Sequence, residues 1–121
     1  MNITTKIVPL SEQRYVTLGD YYVENEELKF VITETGSDVY NKLVLIHELI
    51  EELMTSYRGI KEEDILKWDL QNDDSNDPGR EEGCPYKQEH IFAEMVERMI
   101  CCQLEIDWEM YENYLENVCD I

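Results

Sequence analysis

Basic residues are scarce in this chain. It contains 10 Lys and Arg residues against 28 Asp and Glu residues, which gives a formal net charge of −18. Such a charge repels the phosphates of nucleic acids and the anionic headgroups of membranes. We therefore expect neither nucleic-acid binding through a basic face nor membrane binding. Beyond solubility, the carboxylates can gather metal cations, or they can imitate a nucleic acid toward a basic partner protein.

Long hydrophobic runs and cysteine pairs are also missing. No segment approaches the roughly 20 apolar residues of a membrane-spanning helix, and the start of the chain lacks the apolar core of a secretory signal. The four cysteines form no Cys-x-x-Cys pair. We therefore expect reduced thiols rather than a disulfide or a four-cysteine zinc site. Together these absences predict a cytoplasmic protein.

The length of 121 residues predicts a single domain over 1–121. Its first third, residues 1–35, is rich in aromatic and β-branched side chains, which favour β-strands. We expect a β-hairpin with its turn at 24–27, or a small antiparallel sheet. The fold class is therefore predicted as α+β, with this N-terminal β-structure packed on helices.

Helices are predicted for the rest of the chain. In the first of them, apolar residues from Val39 to Tyr57 recur at intervals of three and four, and we expect this stripe to face the core. His47 and Glu51 lie at the edge of the stripe, on the side toward the protein. Ser37 or Asp38 can cap this helix, and Gly59 can end it. We expect it to pack antiparallel to a second long helix. The predicted segments are a long helix at 37–58, a short helix at 62–70, an acidic loop at 71–84, a long helix at 85–104 and a short helix at 107–118.

The most informative motif is His47-Glu48-Leu49-Ile50-Glu51, which fits His-Glu-x-x-Glu. Residues four apart on a helix differ by about 40° in direction and by one turn in height, so His47 and Glu51 can hold one ion together. Glu48 is turned by about 100° from His47. That direction suits a carboxylate that acts as general base beside a metal-bound water. We therefore predict Glu48 as the catalytic residue.

The second long helix repeats this spacing. His90, Glu94 and Glu97 stand at i, i+4 and i+7, on one line beside its apolar side. If the two long helices pack antiparallel, His90 meets His47 and Glu51, and the three are predicted to be metal ligands. Glu94 or Glu97 is then a fourth ligand, or a carboxylate that orients His90.

Nitrogen and oxygen ligands of this kind suit zinc, and also manganese or iron. With zinc, three protein ligands leave one position for water, whose pKa falls to about 7. Glu48 would take the proton of that water and pass it to a leaving amine, which describes a hydrolase of peptide or amide bonds. Tyr86 lies one turn before His90 and can line such a site. The alternative without metal is that His47 and His90 are ordinary helix-interface residues.

Several segments taken together resemble a family of small phage-encoded proteins. They are His47-Glu48-Leu49-Ile50-Glu51, Asp77-Pro78-Gly79, the block Pro85-Tyr86-x-x-Glu89-His90, and Ile106-Asp107-Trp108-x-x-Tyr111. The resemblance implies a phage protein that acts in the cytoplasm of its host. A basic host protein would then be a possible partner.

The helix motif is also similar to that of the minimal zincins, the smallest HExxH metalloprotein cores. This similarity implies His47 as a metal ligand, Glu48 as the base, and a sheet beside the motif helix. Glu51 departs from the pattern, since zincins have a second histidine at that position. A carboxylate ligand there weakens the Lewis acidity of zinc and can select another ion.

Two further functions stay open at this point. The carboxylates of Glu48, Glu51, Glu94 and Glu97 resemble the set found in MazG-like nucleotide pyrophosphatases, which implies magnesium held by oxygen ligands and water. Against this, two histidines would be unnecessary, and no cluster of basic residues stands ready for phosphates. The other function is not enzymatic: an acidic phage protein can bind and inhibit a basic host protein through exposed carboxylates.

Overall fold

The computed structural model describes residues 1–120 and has the predicted α+β architecture. Within these residues, a three-stranded sheet comes first and four α-helices follow, none of which is long and apolar enough to cross a membrane. The elements are β1 (Asn2–Val8), β2 (Gly19–Glu24), β3 (Glu27–Thr33), α1 (Asp38–Tyr57), α2 (Glu62–Gln71), α3 (Lys87–Gln103) and α4 (Trp108–Cys119).

The sheet has the strand order β1-β3-β2. β2 and β3 form the predicted hairpin, and its turn residues Asn25 and Glu26 adopt φ angles of 53° and 62°. Two left-handed residues in a row match the twist of a two-residue hairpin. β1 runs parallel to β3, because the chain between β1 and β2 crosses to the opposite edge. The sheet is therefore mixed, rather than antiparallel throughout.

The core consists of two apolar clusters that hold the helices on the sheet. Alternate residues of β3 point to the same face, and Ile32 enters one cluster while Leu28 and Phe30 enter the other. The first cluster continues into the helices through Leu43, Val44, Cys101, Tyr111 and Leu115. The second includes Tyr21, Ile65 and Tyr86. The first cluster joins α1, α3 and α4 to the sheet, and the second joins α2 to it. α1 and α3 also pack directly against each other.

Local signals set the helix boundaries. Ser37 caps α1 by accepting a hydrogen bond from the amide of Tyr40, and Asp107 caps α4 in the same way. Gly59, with a φ of 72°, ends α1. α3 begins at Lys87, two residues later than predicted, because the residues before it form a turn.

The buried face of α1 differs from the predicted apolar stripe. Leu53 is 62% exposed and Tyr57 is 90% exposed, so that part of the stripe faces outward. The buried face carries Leu43 and Val44 and continues through His47 and Glu51, as predicted, to Thr55. Hydrophobic periodicity does not identify such a face, because its polar residues are buried by pairing with one another rather than by apolar contact.

The predicted acidic loop folds back onto the helices. It contains a short 3-10 turn at Pro78–Arg80, in which Gly79 is buried. The indole Nε1 of Trp68 on α2 donates a 2.8 Å hydrogen bond to the carbonyl of Pro78. This bond ties the loop to α2 and places it over the start of α3.

Candidate metal centre

Three predicted ligands meet where α1 packs on α3. His47 Nε2 lies 3.1 Å from Glu51 Oε2 and 3.2 Å from His90 Nδ1. His90 Nδ1 lies 2.9 Å from the same Glu51 oxygen. These three atoms, His47 Nε2, Glu51 Oε2 and His90 Nδ1, are called the ligand triangle below. His47 and Glu51 are buried, and His90 is partly exposed.

The edges of the ligand triangle have the lengths that a shared ion requires. Ligand atoms bound at about 2.05 Å from zinc are about 3.3 Å apart at tetrahedral angles and about 2.9 Å apart at right angles. The three observed edges of 2.9, 3.1 and 3.2 Å lie within this interval. One ion can therefore touch all three atoms with little movement of the side chains.

Glu97 holds the outer nitrogen of His47. One Glu97 oxygen lies 2.7 Å from His47 Nδ1, and the other accepts a 2.5 Å hydrogen bond from the hydroxyl of Tyr111. A carboxylate at Nδ1 keeps a proton there, so the lone pair of the neutral ring stays on Nε2, in the ligand triangle. The sequence placed Glu97 as a ligand or beside His90. It contacts His47 instead. Because α1 and α3 pack antiparallel, Glu97, which lies two turns after His90 on α3, is level with His47 on α1.

Asp77 takes the position beside His90. Its Oδ1 lies 2.7 Å from His90 Nε2, as an ion pair that is not aligned as a hydrogen bond. The next turn of the loop covers the ring: a Cβ added to Gly79 would overlap the imidazole of His90. The loop therefore fixes His90 from the side opposite the ligand triangle, which directs Nδ1 inward.

Glu94, a predicted additional ligand, lies outside the ligand triangle. Arg80 donates two hydrogen bonds of 2.9 Å to its carboxylate, and Glu94 Oε2 is 3.6 Å from His90 Nε2. Asp77, His90 and Glu94 thus form a second group whose ligand atoms lie within 4.8 Å of one another. The guanidinium of Arg80 already compensates both carboxylates of this group. We assign no metal to it for that reason.

The second oxygen of Glu51 is occupied by the protein. The hydroxyl of Tyr21 on β2 donates a 3.0 Å hydrogen bond to Glu51 Oε1, which leaves Oε2 for the ligand triangle. Both histidines and Glu51 are therefore oriented by a neighbour on the side away from the triangle. Such outer partners are typical of metal-binding side chains.

Protonation in the metal-free protein follows from these contacts. Burial alone would lower the pKa of His47, but the hydrogen bonds to Glu51 and Glu97 outweigh it and raise that pKa well above its usual value. In the same way, burial is outweighed by Asp77 and Glu51 at His90, whose pKa rises to about 9. The two imidazoles in turn overcome burial at Glu51 and lower its pKa to about 2. A cation entering the ligand triangle must therefore displace protons from the histidines.

Glu48 lies beside the ligand triangle and lines the same cavity. Burial, and next the charge of Glu51, raise the pKa of Glu48 well above its usual range. The side chain packs against the backbone of Gly19, where an added Cβ would lie 2.6 Å from Glu48 Oε1. Within residues 1–120 its carboxylate accepts no hydrogen bond from another side chain or amide. A desolvated carboxylate of this kind holds a proton more readily than an exposed one does, which suits a group that takes up and passes on a proton.

A cavity of about 520 Å³ opens from the ligand triangle. Its volume is that of a typical pocket for a small molecule or a short peptide segment. The residues that line it include 12 carboxylates and, within residues 1–120, no Lys or Arg. Arg58, Lys61, Lys87 and Arg98 do not line it.

Tyr86 lines this cavity, as predicted, but it does not reach the ligand triangle. Its ring centroid is 6.1 Å from that of His90, and its hydroxyl donates to Asp69. Tyr15 donates a second hydrogen bond of 2.8 Å to the other Asp69 oxygen. Burial raises the pKa of Asp69 to about 6, against the lowering effect of these two hydroxyls.

Sequence reasoning missed Asp77, Tyr21 and Tyr111 as members of this site. Asp77 was predicted only as part of an acidic loop. The two tyrosines belong to β2 and α4, whose positions depend on the tertiary fold. The Asp77-Pro78-Gly79 turn is the one signal that was present, because a buried glycine beside a carboxylate marks a close approach of the backbone.

Comparison with family models, curated proteins and solved structures finds no match to this chain.

Proposed function

We propose that His47, Glu51 and His90 bind one divalent metal ion, with zinc as the first choice, and that the protein is a hydrolase of peptide or amide bonds. The observation that carries the proposal is the ligand triangle. Its three atoms lie at the spacing of a coordination sphere, and each ligand is oriented from behind by Glu97, Asp77 or Tyr21. A set of two histidines and one glutamate is also the ligand set of well-known zinc hydrolases.

A divalent ion in the ligand triangle supplies Lewis acidity, which polarises a carbonyl oxygen and makes water acidic. The proton transfers are carried out by a residue of the chain. Glu48 accepts a proton from the attacking water, whose oxygen bonds to the carbonyl carbon. As the bond between carbon and nitrogen breaks, Glu48 returns the proton to the leaving amine, so the products are a carboxylic acid and an amine.

The composition of the cavity favours this function over nucleotide pyrophosphate hydrolysis. A triphosphate needs basic side chains or exposed amides around its oxygens, whereas the residues within 1–120 that line the cavity include no Lys or Arg. Two imidazole nitrogens in the ligand triangle also suit zinc, manganese or iron better than magnesium, which prefers oxygen ligands. Inhibition of a basic host protein would need no buried histidines.

The test is metal analysis of protein purified without added metal, followed by titration with zinc, manganese, iron(II) and magnesium. We expect one equivalent of a transition metal in the unmodified protein and none in His47→Ala or His90→Ala. Glu52→Gln is the matched control, since it is the next residue to Glu51 but does not line the cavity. A full equivalent of metal in either histidine variant would contradict the proposed ligand set.

Hydrolysis is tested separately on a mixture of unstructured peptides, with new amino termini as the readout. We expect new termini with the metal-loaded protein and none with the metal-loaded Glu48→Gln variant. If the protein binds one equivalent of metal but generates no new termini from any peptide, the metal site stands and the hydrolase is contradicted.

A further inference from the structure

The charges around the cavity differ in whether the protein itself compensates them. Arg14 pairs with Asp20, Arg80 pairs with Asp77 and Glu94, and the two histidines pair with Glu51 and Glu97. The other lining carboxylates have no cationic partner within 4.0 Å among residues 1–120. These carboxylates form a negative surface beside the candidate metal centre that no ion pair among the described residues compensates.

Part of this negative surface is exposed to solvent and comes from two separate segments of the chain. Asp73 and Asp74 belong to the acidic loop, and Glu112 and Glu116 belong to α4. The two glutamates are four residues apart and therefore face the same direction, one turn from each other. Like charges at this spacing destabilise a helix. Burial, together with Glu94 and Glu116, raises the pKa of Glu112, against a smaller lowering effect of Arg80. The protein therefore holds negative charges together here, and among residues 1–120 none of the four forms an ion pair within 4.0 Å.

A cation bound in the cavity would relieve this repulsion, and an anion would increase it. A metal ion in the ligand triangle would not do so, because its ligands would be His47, Glu51 and His90 and not these four residues. A Lys or Arg side chain of a peptide is such a cation, and the four carboxylates line the same cavity as the ligand triangle. The cavity of about 520 Å³ is large enough for such a segment.

We infer that the site takes cationic peptides, with Lys or Arg beside the bond that lies at the metal, and rejects acidic ones. This inference rests on the proposed function, and it adds the substrate class. Asp73, Asp74, Glu112 and Glu116 are its specificity-determining residues. Because they are exposed, their attraction to a peptide is screened by salt.

The experiment measures binding of three fluorescent octapeptides to zinc-loaded Glu48→Gln protein, which leaves the bound peptide intact. The peptides share a neutral backbone and carry three Lys, three Gln or three Glu residues. We expect the Lys peptide to bind about ten-fold or more tightly than the Glu peptide at low salt, and this preference to shrink at 0.5 M NaCl. Zinc content is measured on the same samples.

Charge alone must be separated from location, because a chain of this net charge attracts any polycation. The rim variant combines D73N, D74N, E112Q and E116Q. The control variant combines four changes of equal charge at carboxylates that do not line the cavity: E12Q, E52Q, E63Q and E109Q. We expect the rim variant to lose most of the preference for the Lys peptide, and the control variant to keep it, with zinc bound in both.

The outcomes distinguish this inference from the proposed function. If zinc is bound but the three peptides bind equally, the substrate class is wrong and the metal centre stands. If the rim and control variants lose the preference equally, the attraction belongs to the whole surface and the four residues do not determine specificity. If zinc is not bound at all, the proposed function fails, and this inference fails with it.

Discussion

His47 Nε2 and His90 Nδ1 lie 3.2 Å apart on two different helices, and both face the same oxygen of Glu51. Two neutral imidazoles in this position would direct two lone pairs and a carboxylate at one point, which is unfavourable unless a cation or protons lie between them. The raised pKa of each histidine shows that protons serve this role in the metal-free protein. The predictions below follow from the exchange of those protons for a metal ion.

The first prediction concerns pH. The pKa of His90 is raised from 6.5 to about 9 in the folded protein, so its protonated form stabilises the metal-free fold fully below pH 6.5 and loses that effect as the pH rises to about 9. The melting temperature of the metal-free protein should therefore fall over this interval. Zinc affinity should rise over the same interval, because fewer protons compete. A metal-free melting temperature that rises from pH 6.5 to 9 would contradict the assigned protonation.

The second prediction concerns Glu97, which orients His47. Glu97→Gln should lower zinc affinity by about 10- to 100-fold, because the ring loses the carboxylate that keeps its proton on Nδ1. Glu89→Gln is a matched control: it also removes a buried carboxylate from α3, but its partner is Arg58. Isothermal titration with zinc should show lower affinity in the first variant only. Equal affinities in the two variants would mean that Glu97 is merely structural.

The third prediction concerns Gly79. Its backbone lies against the ring of His90, so the Cβ of Gly79→Ala would overlap the imidazole. We expect the ring to move out of the ligand triangle, with a loss of zinc affinity and a cost of about 1–3 kcal/mol in unfolding free energy. Pro78→Ala, one position earlier, should leave zinc binding intact. Unchanged zinc affinity in Gly79→Ala would show that the loop does not position His90.

The fourth prediction separates Glu48 from the ligands. Glu48→Gln should bind zinc at least as tightly as the unmodified protein, since Glu48 is not part of the ligand triangle. The rate of peptide hydrolysis should fall by about 10²- to 10⁴-fold, as expected for loss of a general base. Glu52→Gln should leave the rate unchanged. A Glu48→Gln variant that retains the full rate would remove Glu48 from the mechanism.

The sequence predicted which candidate ligands lie together where their proximity follows from helical spacing. His47 and Glu51 are four apart on α1, and His90 follows from the same spacing on α3. The partners that orient these residues did not follow from spacing. Asp77 comes from a loop, and Tyr21 comes from a strand, so their distances to the ligands depend on how separate elements pack.

The prediction of the buried helix face was wrong at its C-terminal part for a related reason. Leu53 and Tyr57 continue the apolar repeat of α1, yet they are exposed, while Glu51 and Thr55 are buried. A buried face made of paired polar groups has no hydrophobic signature. Similarly, the hairpin was predicted from residue type, but the parallel pairing of β1 with β3 depends on where the connecting chain crosses.

The most direct measurement is anomalous diffraction from crystals grown with one equivalent of zinc, recorded above and below the zinc absorption edge. We predict one dominant peak, about 2.0–2.1 Å from His47 Nε2, Glu51 Oε2 and His90 Nδ1. Absence of a peak there, or zinc found only at exposed carboxylates such as Asp73 and Asp74, would contradict the metal centre.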